Sequence, residues 1–314
     1  MDYRRAAKLL FSFTILGLLF WFSDVEAIAS NISKADPGLY LAAVALFLTT
    51  YAAASLRWRN LSRSIGYDLG LTESFRLIAV SYSFNKLFPG NAGDAVRSKI
   101  FERYEDVDSH GKILGIVALE RYLGVLSLLT IIFVSLALAD IQIFEKIRWV
   151  LAIFGFVSVG FGLALLVDRD IMKLVLGFLP GKAEGFLLEV MEGYQSSSRA
   201  DLVKNLFLSL YIRSVEAVMF FLILGALSAD IGLWEGALVM STLSLVSAIP
   251  VSPGGLGTVD ATGAALLTFL GTSYSLALSV MILQRSIGLF LMGLVGATVY
   301  TVETYYPVFS EIIR

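Results

Sequence analysis

Residues 250–260 read Pro250-Val251-Ser252-Pro253-Gly254-Gly255-Leu256-Gly257-Thr258-Val259-Asp260. They stop the apolar run Trp234–Val251, which resumes as the short run Leu256–Leu270. Proline removes a backbone donor and glycine opens dihedrals closed to other residues, so one helix ends here and the next begins. In a bilayer, broken backbone is tolerated only where protein or a wet cavity covers it. An earlier break has the same form. Ser74–Phe88 runs into Pro89-Gly90-Asn91-Ala92-Gly93, and the continuation Asp94–Tyr104 is too polar to cross. Both regions read as re-entrant helical hairpins.

The two breaks share the pattern P-G-x-x-G at an offset of 164 residues. The same offset carries Leu119-Glu120-Arg121-Tyr122-Leu123-Gly124 onto Leu283-Gln284-Arg285-Ser286-Ile287-Gly288, and Ser83 onto Ser247. Two ordered motifs at one spacing, near half the chain, indicate a duplication. The repeats cover about residues 1–140 and 149–302 of a single transmembrane domain that fills 1–314.

Outward from the breaks, the chain is a membrane protein by composition. It has 314 residues, of which 57% are hydrophobic and only 16% charged, with a mean hydropathy of +0.78. Six stretches approach the roughly 20 apolar residues of a crossing helix. These are Ala7–Phe22, Gly38–Leu56, Ile113–Ala139, Trp149–Val167, Leu206–Ala229 and Ser273–Tyr300. The first has a signal-like flank, Arg4, Arg5 and Lys8 before it and Ala27-Ile28-Ala29 after it. Because further spans follow, it reads as the first transmembrane helix.

Positive charge sets the orientation. With the N-terminus inside, the inner segments hold 17 Lys and Arg against 3 outside, and both termini lie in the cytoplasm. Three crossings per repeat invert the second half relative to the first. Between the halves, residues 168–204 form a cytoplasmic amphipathic segment. Phe186, Leu187, Val190, Met191 and Tyr194 recur there at helical spacing, as in a helix lying on the leaflet or packed on a soluble partner.

Inverted repeats with paired broken helices place a binding site at the breaks. Half-helices starting at Gly93 and Gly257 aim free N–H groups and a positive dipole end at an anion. Pro89, Gly90, Pro250, Pro253, Gly254 and Gly255 shape the breaks, while Asn91, Ser252 and Thr258 add amide or hydroxyl contacts. Arg121 and Arg285 lie inside spans, and arginine stays charged and grips phosphate bidentately. They either bind an anionic headgroup or pair with Asp94, Glu120, Glu216 or Asp260 to lock the halves. Arg97 follows Asp94 at i+3, and Arg213 and Glu216 share a helix face at the same spacing, so local ion pairs are expected.

Several classes are excluded or weakened. A net charge of −2 gives nucleic acid no attraction, and no cysteine with one histidine, His110, leaves no metal cluster or Ser-His triad. No residue set calls for a cofactor. Tyr67-Asp68 and Gly93-Asp94 faintly resemble the aspartate pair of intramembrane aspartyl proteases, but both lie in or beside loops, so the chain reads as a non-enzyme.

The ordered pattern of P-G-x-x-G-(acid)-x-x-R, E-R-x-x-G, P-x-x-P-G-G-x-G-x-x-(acid) and R-x-x-G resembles the lysylphosphatidylglycerol synthase transmembrane-region, or flippase-like domain, family. Where that family has Glu, this chain has Asp94 and Asp260. The resemblance implies movement of an anionic phospholipid or polyprenyl-phosphate-linked precursor between leaflets of a prokaryotic plasma membrane. It places Pro89–Arg97, Glu120, Arg121, Pro250–Asp260 and Arg285 in a central cavity. The alternative is a non-transporting scaffold for a glycosyltransferase or other lipid-modifying enzyme. Membrane lipids are the expected partners under the first reading, with the oligomeric state left open.

Overall fold

The computed structural model describes residues 14, 17, 21, 23–87, 92–105, 110–141, 148–167, 184–249 and 252–288, and all regular structure among them is helical. Most of the first expected span, the tip Pro89-Gly90-Asn91, Pro250, and the end of the last span lie outside the described residues.

The helices are α1 (Val25–Ser33), α2 (Pro37–Ser64), α3 (Leu71–Leu87), α4 (Ala92–Glu105), α5 (His110–Leu138), α6 (Arg148–Val167), α7 (Glu184–Gln195), α8 (Arg199–Ala226), α9 (Leu233–Ala248) and α10 (Thr258–Phe269). A 3₁₀ turn, Pro253–Gly255, precedes α10, and α11 covers 274–288. Of these, α2, α5 and α8 are long and apolar enough to cross a membrane. At 1.5 Å per residue, their 28, 29 and 28 residues span about 42–44 Å, more than the ~30 Å hydrocarbon core. By contrast, α4 and α10 have 14 and 12 residues, about 21 and 18 Å, and neither reaches across alone.

Local chemistry sets the starts of the long helices. Asp36 caps α2 by accepting from the N–H groups of Gly38 at 2.7 Å and Leu39 at 3.1 Å. Pro37 stands at the first turn, where its missing N–H costs nothing. Ser198 caps α8 through the N–H of Asp201.

The most extensive helix contact joins α2 to α8. The Asp36 N–H donates to the Ala226 carbonyl at 2.8 Å, while Ser64 bonds Ser196 at 2.7 Å beyond the other end. The start of α2 therefore meets the end of α8, and the two run antiparallel. Polar pairs cross between them, Tyr211 to Thr49 at 2.8 Å and Asn60 to Asn205 at 3.3 Å. On either side α3 packs on α4, and α9 on α10. One hydrophobic core, including Trp58, Ile78, Phe101, Leu119, Phe220, Leu243, Leu267 and Val280, runs through all of these helices.

Two features depart from the sequence reading. The stretch between the first two spans, read as a connection, contains α1, capped by Asp24 through the Ala27 N–H. The small-x-small residues Ala27 and Ala29 lie inside it. Ile28 is buried in the core, and Asn31 donates to the hydroxyl of Ser279 on α11 at 3.3 Å. The second feature is α7, whose Val190 and Tyr194 face protein. It lies against the start of α5, where Gly111 and Gly115 meet Glu189, Val190, Gly193 and Tyr194. A Cβ at Gly193 would stand 2.7 Å from the Lys112 Cα and 2.8 Å from its carbonyl carbon, backbone that cannot swing aside. Gly193→Ala is therefore expected to release α7, with thermal unfolding and protease cleavage near residue 193 as the measurements. Overpacking costs about 1–3 kcal/mol; a melting curve identical to the parent, with α7 still protected, would refute this contact.

Candidate functional site

The second break is built by glycine conformation. Gly254, Gly255 and Gly257 have φ of 55°, 69° and 80°, and the ψ of Gly257 is −50°, a region that side-chain-bearing residues avoid. The turn frees the N–H of Gly257, which donates to Asp260 Oδ2 at 2.9 Å. Ser252 and Thr258 close the turn through their hydroxyls at 2.9 Å.

Asp260, on the first turn of α10, meets Arg285 of α11. Arg285 Nε donates to Oδ1 at 3.0 Å and Nη2 to Oδ2 at 2.6 Å, a two-by-two fork. Its Nη2 also reaches the Gly255 carbonyl at 3.4 Å.

The first half places the corresponding residues together. Asp94, on the first turn of α4, accepts from Arg121 of α5, through Nε at 2.7 Å and also Nη2, and from the Ser81 hydroxyl at 3.1 Å. The start of α4 lies against α3 because position 93 has no side chain. The Gly93 N–H donates to Asn85 Oδ1 at 2.8 Å, and the Ser81 carbonyl occupies the space a Cβ would need.

Each acid thus pairs with the arginine of its own half. The expectation that such pairs lock the halves to each other is corrected: each ties a short helix to the helix that follows it, α4 to α5 and α10 to α11. The expected local pair of Asp94 with Arg97 is also secondary, at 3.6 Å. Arg97 instead binds Glu120, Nη2 to Oε2 at 2.5 Å, with its guanidinium 3.9 Å from the centroid of the Trp58 ring. Glu120 accepts a second arginine, Arg57, at 2.7 Å.

Arg57 is one of the 17 Lys and Arg of the inner segments and follows the expected span end at Leu56, yet the helix continues past it to Ser64. Arg57 is buried within α2, where its Nη1 donates to the Ser209 hydroxyl of α8 at 2.8 Å. The signal lay in its neighbours: Ala54, Trp58 and Leu61 form a helical stripe, all fully buried. Arg213 and Glu216 make the expected i,i+3 pair at 2.7 Å.

The aspartates of the protease-like pattern are separate. Asp68 is exposed in the loop after α2 and takes a fork from Arg63, whose hydrogen bond holds its carboxyl below the ordinary range. Asp94 is buried and instead pairs with Arg121.

Comparison with known proteins places this architecture. A UPF0104 membrane protein of Methanothermobacter thermautotrophicus is 26% identical over 326 aligned residues, covering 94% of each chain. UPF0104 membrane protein MJ1078 of Methanocaldococcus jannaschii is 26% identical across 69% of this chain and 92% of its own. Glycosyltransferase AglD of Haloferax volcanii is 25% identical across 80% of this chain, but the match covers only 46% of AglD. Residues 6–296 match the lysylphosphatidylglycerol synthase TM region family. The chain is a membrane protein of that family.

Proposed function

We propose that this protein moves an anionic lipid, a phospholipid or a polyprenyl-phosphate-linked precursor, between the leaflets of a prokaryotic plasma membrane. The observation that carries this reading is the paired architecture of the breaks. Twice, a helix too short to cross starts beside an acid held by an arginine from the helix that follows it. Charges at that depth are rare outside substrate paths, and discontinuous helices of this kind line transporter sites.

Two inverted repeats are part of the proposal. Support comes from the antiparallel α2 and α8, which occupy corresponding places in the two halves. It comes also from α1 and α7, each a short helix before its half's central span. Asn31 near the end of α1 contacts Ser279, while α7 packs at Gly115, 164 residues before Ser279. With the N-terminus in the cytoplasm, the α3–α4 hairpin enters from inside and the α9–α10 hairpin from outside. A headgroup would pass between the hairpin tips with its tails in the bilayer, as one repeat rocks on the other.

The glycosyltransferase relative favours a second reading, a membrane scaffold that delivers lipid-linked sugar to an enzyme without moving it. Proteoliposomes distinguish the two. Fluorescent phosphatidylglycerol and a labelled polyprenyl phosphate would be incorporated symmetrically, and the outer label bleached chemically. Protein-dependent loss of the protected half, abolished in Arg121→Ala, is the expected result. A protected fraction that persists with folded protein, with and without an ion gradient, would leave the scaffold reading.

A further inference from the structure

Arg121 and Arg285 occupy corresponding places, but their electrostatic surroundings differ. Arg57 and Arg97 share the single carboxylate of Glu120, the residue before Arg121, and the side chains of all three are at least nine-tenths buried. That triad carries one excess positive charge in the protein interior, where an uncompensated charge is strongly disfavoured. Among the described residues the next carboxylate is Asp94, whose Oδ1 lies 3.6 Å from Arg97 Nη2. The charge of Asp94 compensates the triad, and it cannot fully compensate Arg121 as well.

The contacts of Arg121 agree with this count. Both of its bonds to Asp94 converge on one oxygen, Oδ2, because Oδ1 is turned to Ser81 and Arg97. The Arg121 side chain remains 45% exposed, against 25% for Arg285. Asp260 serves a single arginine with both oxygens, and Arg285 reaches the Gly255 carbonyl as well. Among the described residues no such triad lies there: Gln284 stands where the first half has Glu120, and Ala261 or Gly263 where it has Arg97. Arg213, 25% exposed like Arg285, pairs with Glu216. The second pair is electrically closed and the first is not.

We infer that Arg121, and not Arg285, receives the phosphate oxygens of the headgroup, and that Arg57, Glu120 and Arg97 are positioning residues that keep its charge available. One uncompensated cation matches a phosphodiester, which carries one negative charge. The headgroup enters by taking Arg121 donors now spent on Asp94 Oδ2, while Asp94 stays with the triad. The Arg285–Asp260 pair is then a structural clasp. This inference takes the lipid source of the phosphate from the proposed function, whereas the asymmetry stands on the charges alone.

The test titrates the full chain, in phosphatidylcholine nanodiscs, with dioctanoyl phosphatidylglycerol by calorimetry. Thermal melts check that each variant is folded. Arg121→Gln is expected to weaken binding at least about tenfold, the loss of a charged hydrogen-bonding group. The double variant Asp260→Asn/Arg285→Gln removes a pair that carries no excess charge, and it is expected to weaken binding by clearly less than Arg121→Gln does. Asp94→Asn, which removes the competing carboxylate, is expected to tighten binding. Equal loss in the Arg121 and Arg285 variants, or no loss in Arg121→Gln, would overturn the inference. Glycerophosphoglycerol in a parallel titration tests the source. Binding as tight as the lipid's would point to a soluble phosphate and overturn the lipid assignment. Arg121-dependent lipid binding without transport in proteoliposomes would refute movement while leaving the receptor intact.

Discussion

Replacing Glu120 by alanine is expected to lower stability by about 3–5 kcal/mol, the cost of leaving buried charge unpaired. Glu120 is the only carboxylate within 3 Å of either Arg57 or Arg97 among the described residues. Its removal leaves two guanidinium groups in contact with little but Ser209, Trp58 and the more distant Asp94. Urea or thermal unfolding in mild detergent measures the effect. Glu120→Gln keeps the shape and an acceptor but not the charge, so most of the loss should remain. The triple variant Arg57→Met, Arg97→Met, Glu120→Leu should recover much of it, because apolar groups of similar volume often replace buried ionic clusters without penalty. A Glu120→Ala protein within about 1 kcal/mol of the parent, the range of an ordinary substitution, would show that water reaches the triad and that its charges are not buried.

The triad also shows where sequence reasoning reaches its limit. Hydropathy and the Pro-Gly breaks located the long helices and both interrupted regions, because a broken apolar run follows directly from backbone chemistry. The acids and arginines at the breaks stood out because charge is rare in apolar segments. Their pairing did not follow. The i,i+3 rule assigned Arg97 to Asp94, yet Asp94 and Arg121 meet 27 positions apart, and nothing local encodes a tertiary contact of that kind. Arg57 was hidden by a boundary: the apolar run fades at Leu56, whereas α2 continues to Ser64, so a buried charge looked like a loop charge. The short helix α1 was masked by Asp24, Glu26, Lys34 and Asp36. The spacing of Val25, Ile28 and Ile32 nevertheless carries a helical stripe, and Ile28 and Ile32 do pack on the core.

Under the proposed inverted-repeat arrangement, the difference between the two acid–arginine pairs has a functional logic. If both breaks presented the same charge, a headgroup would have equivalent resting places near the two leaflets. A closed pair on one side and an open one on the other creates a preferred side instead. A ligand shifts a conformational equilibrium only through differential affinity for its states, and Arg121 supplies such a difference. The α3–α4 hairpin holds Asp94 at the centre of this balance, so its position against α3 matters more than its length.

Gly93→Ala tests that position, and its expected result is a protein that no longer moves lipid. A Cβ at residue 93 would overlap the Ser81 carbonyl oxygen and stand 2.7 Å from its carbonyl carbon and 2.9 Å from Asn85 Oδ1. The obstruction is helix backbone, so α4 must move away from α3. Overpacking of this kind costs about 1–3 kcal/mol, and it displaces Asp94, the adjacent residue, from both Ser81 and Arg121. Gly263→Ala is the informative comparison within the other hairpin. The three atoms nearest its Cβ all belong to the Met281 side chain, Sδ first, then Cε at 2.7 Å and Cγ at 3.1 Å, and methionine repacks readily. Gly160→Ala, where nothing lies within 4 Å, is expected to change stability by less than about 0.5 kcal/mol. Transport in proteoliposomes and unfolding in detergent should therefore rank the variants in one order, with Gly93→Ala lowest, Gly263→Ala intermediate and Gly160→Ala like the parent. Gly93→Ala with full stability and full transport would mean that α4 is not seated on α3. The Asp94–Arg121 pair would then lack the support that separates a fixed receptor from a mobile salt bridge.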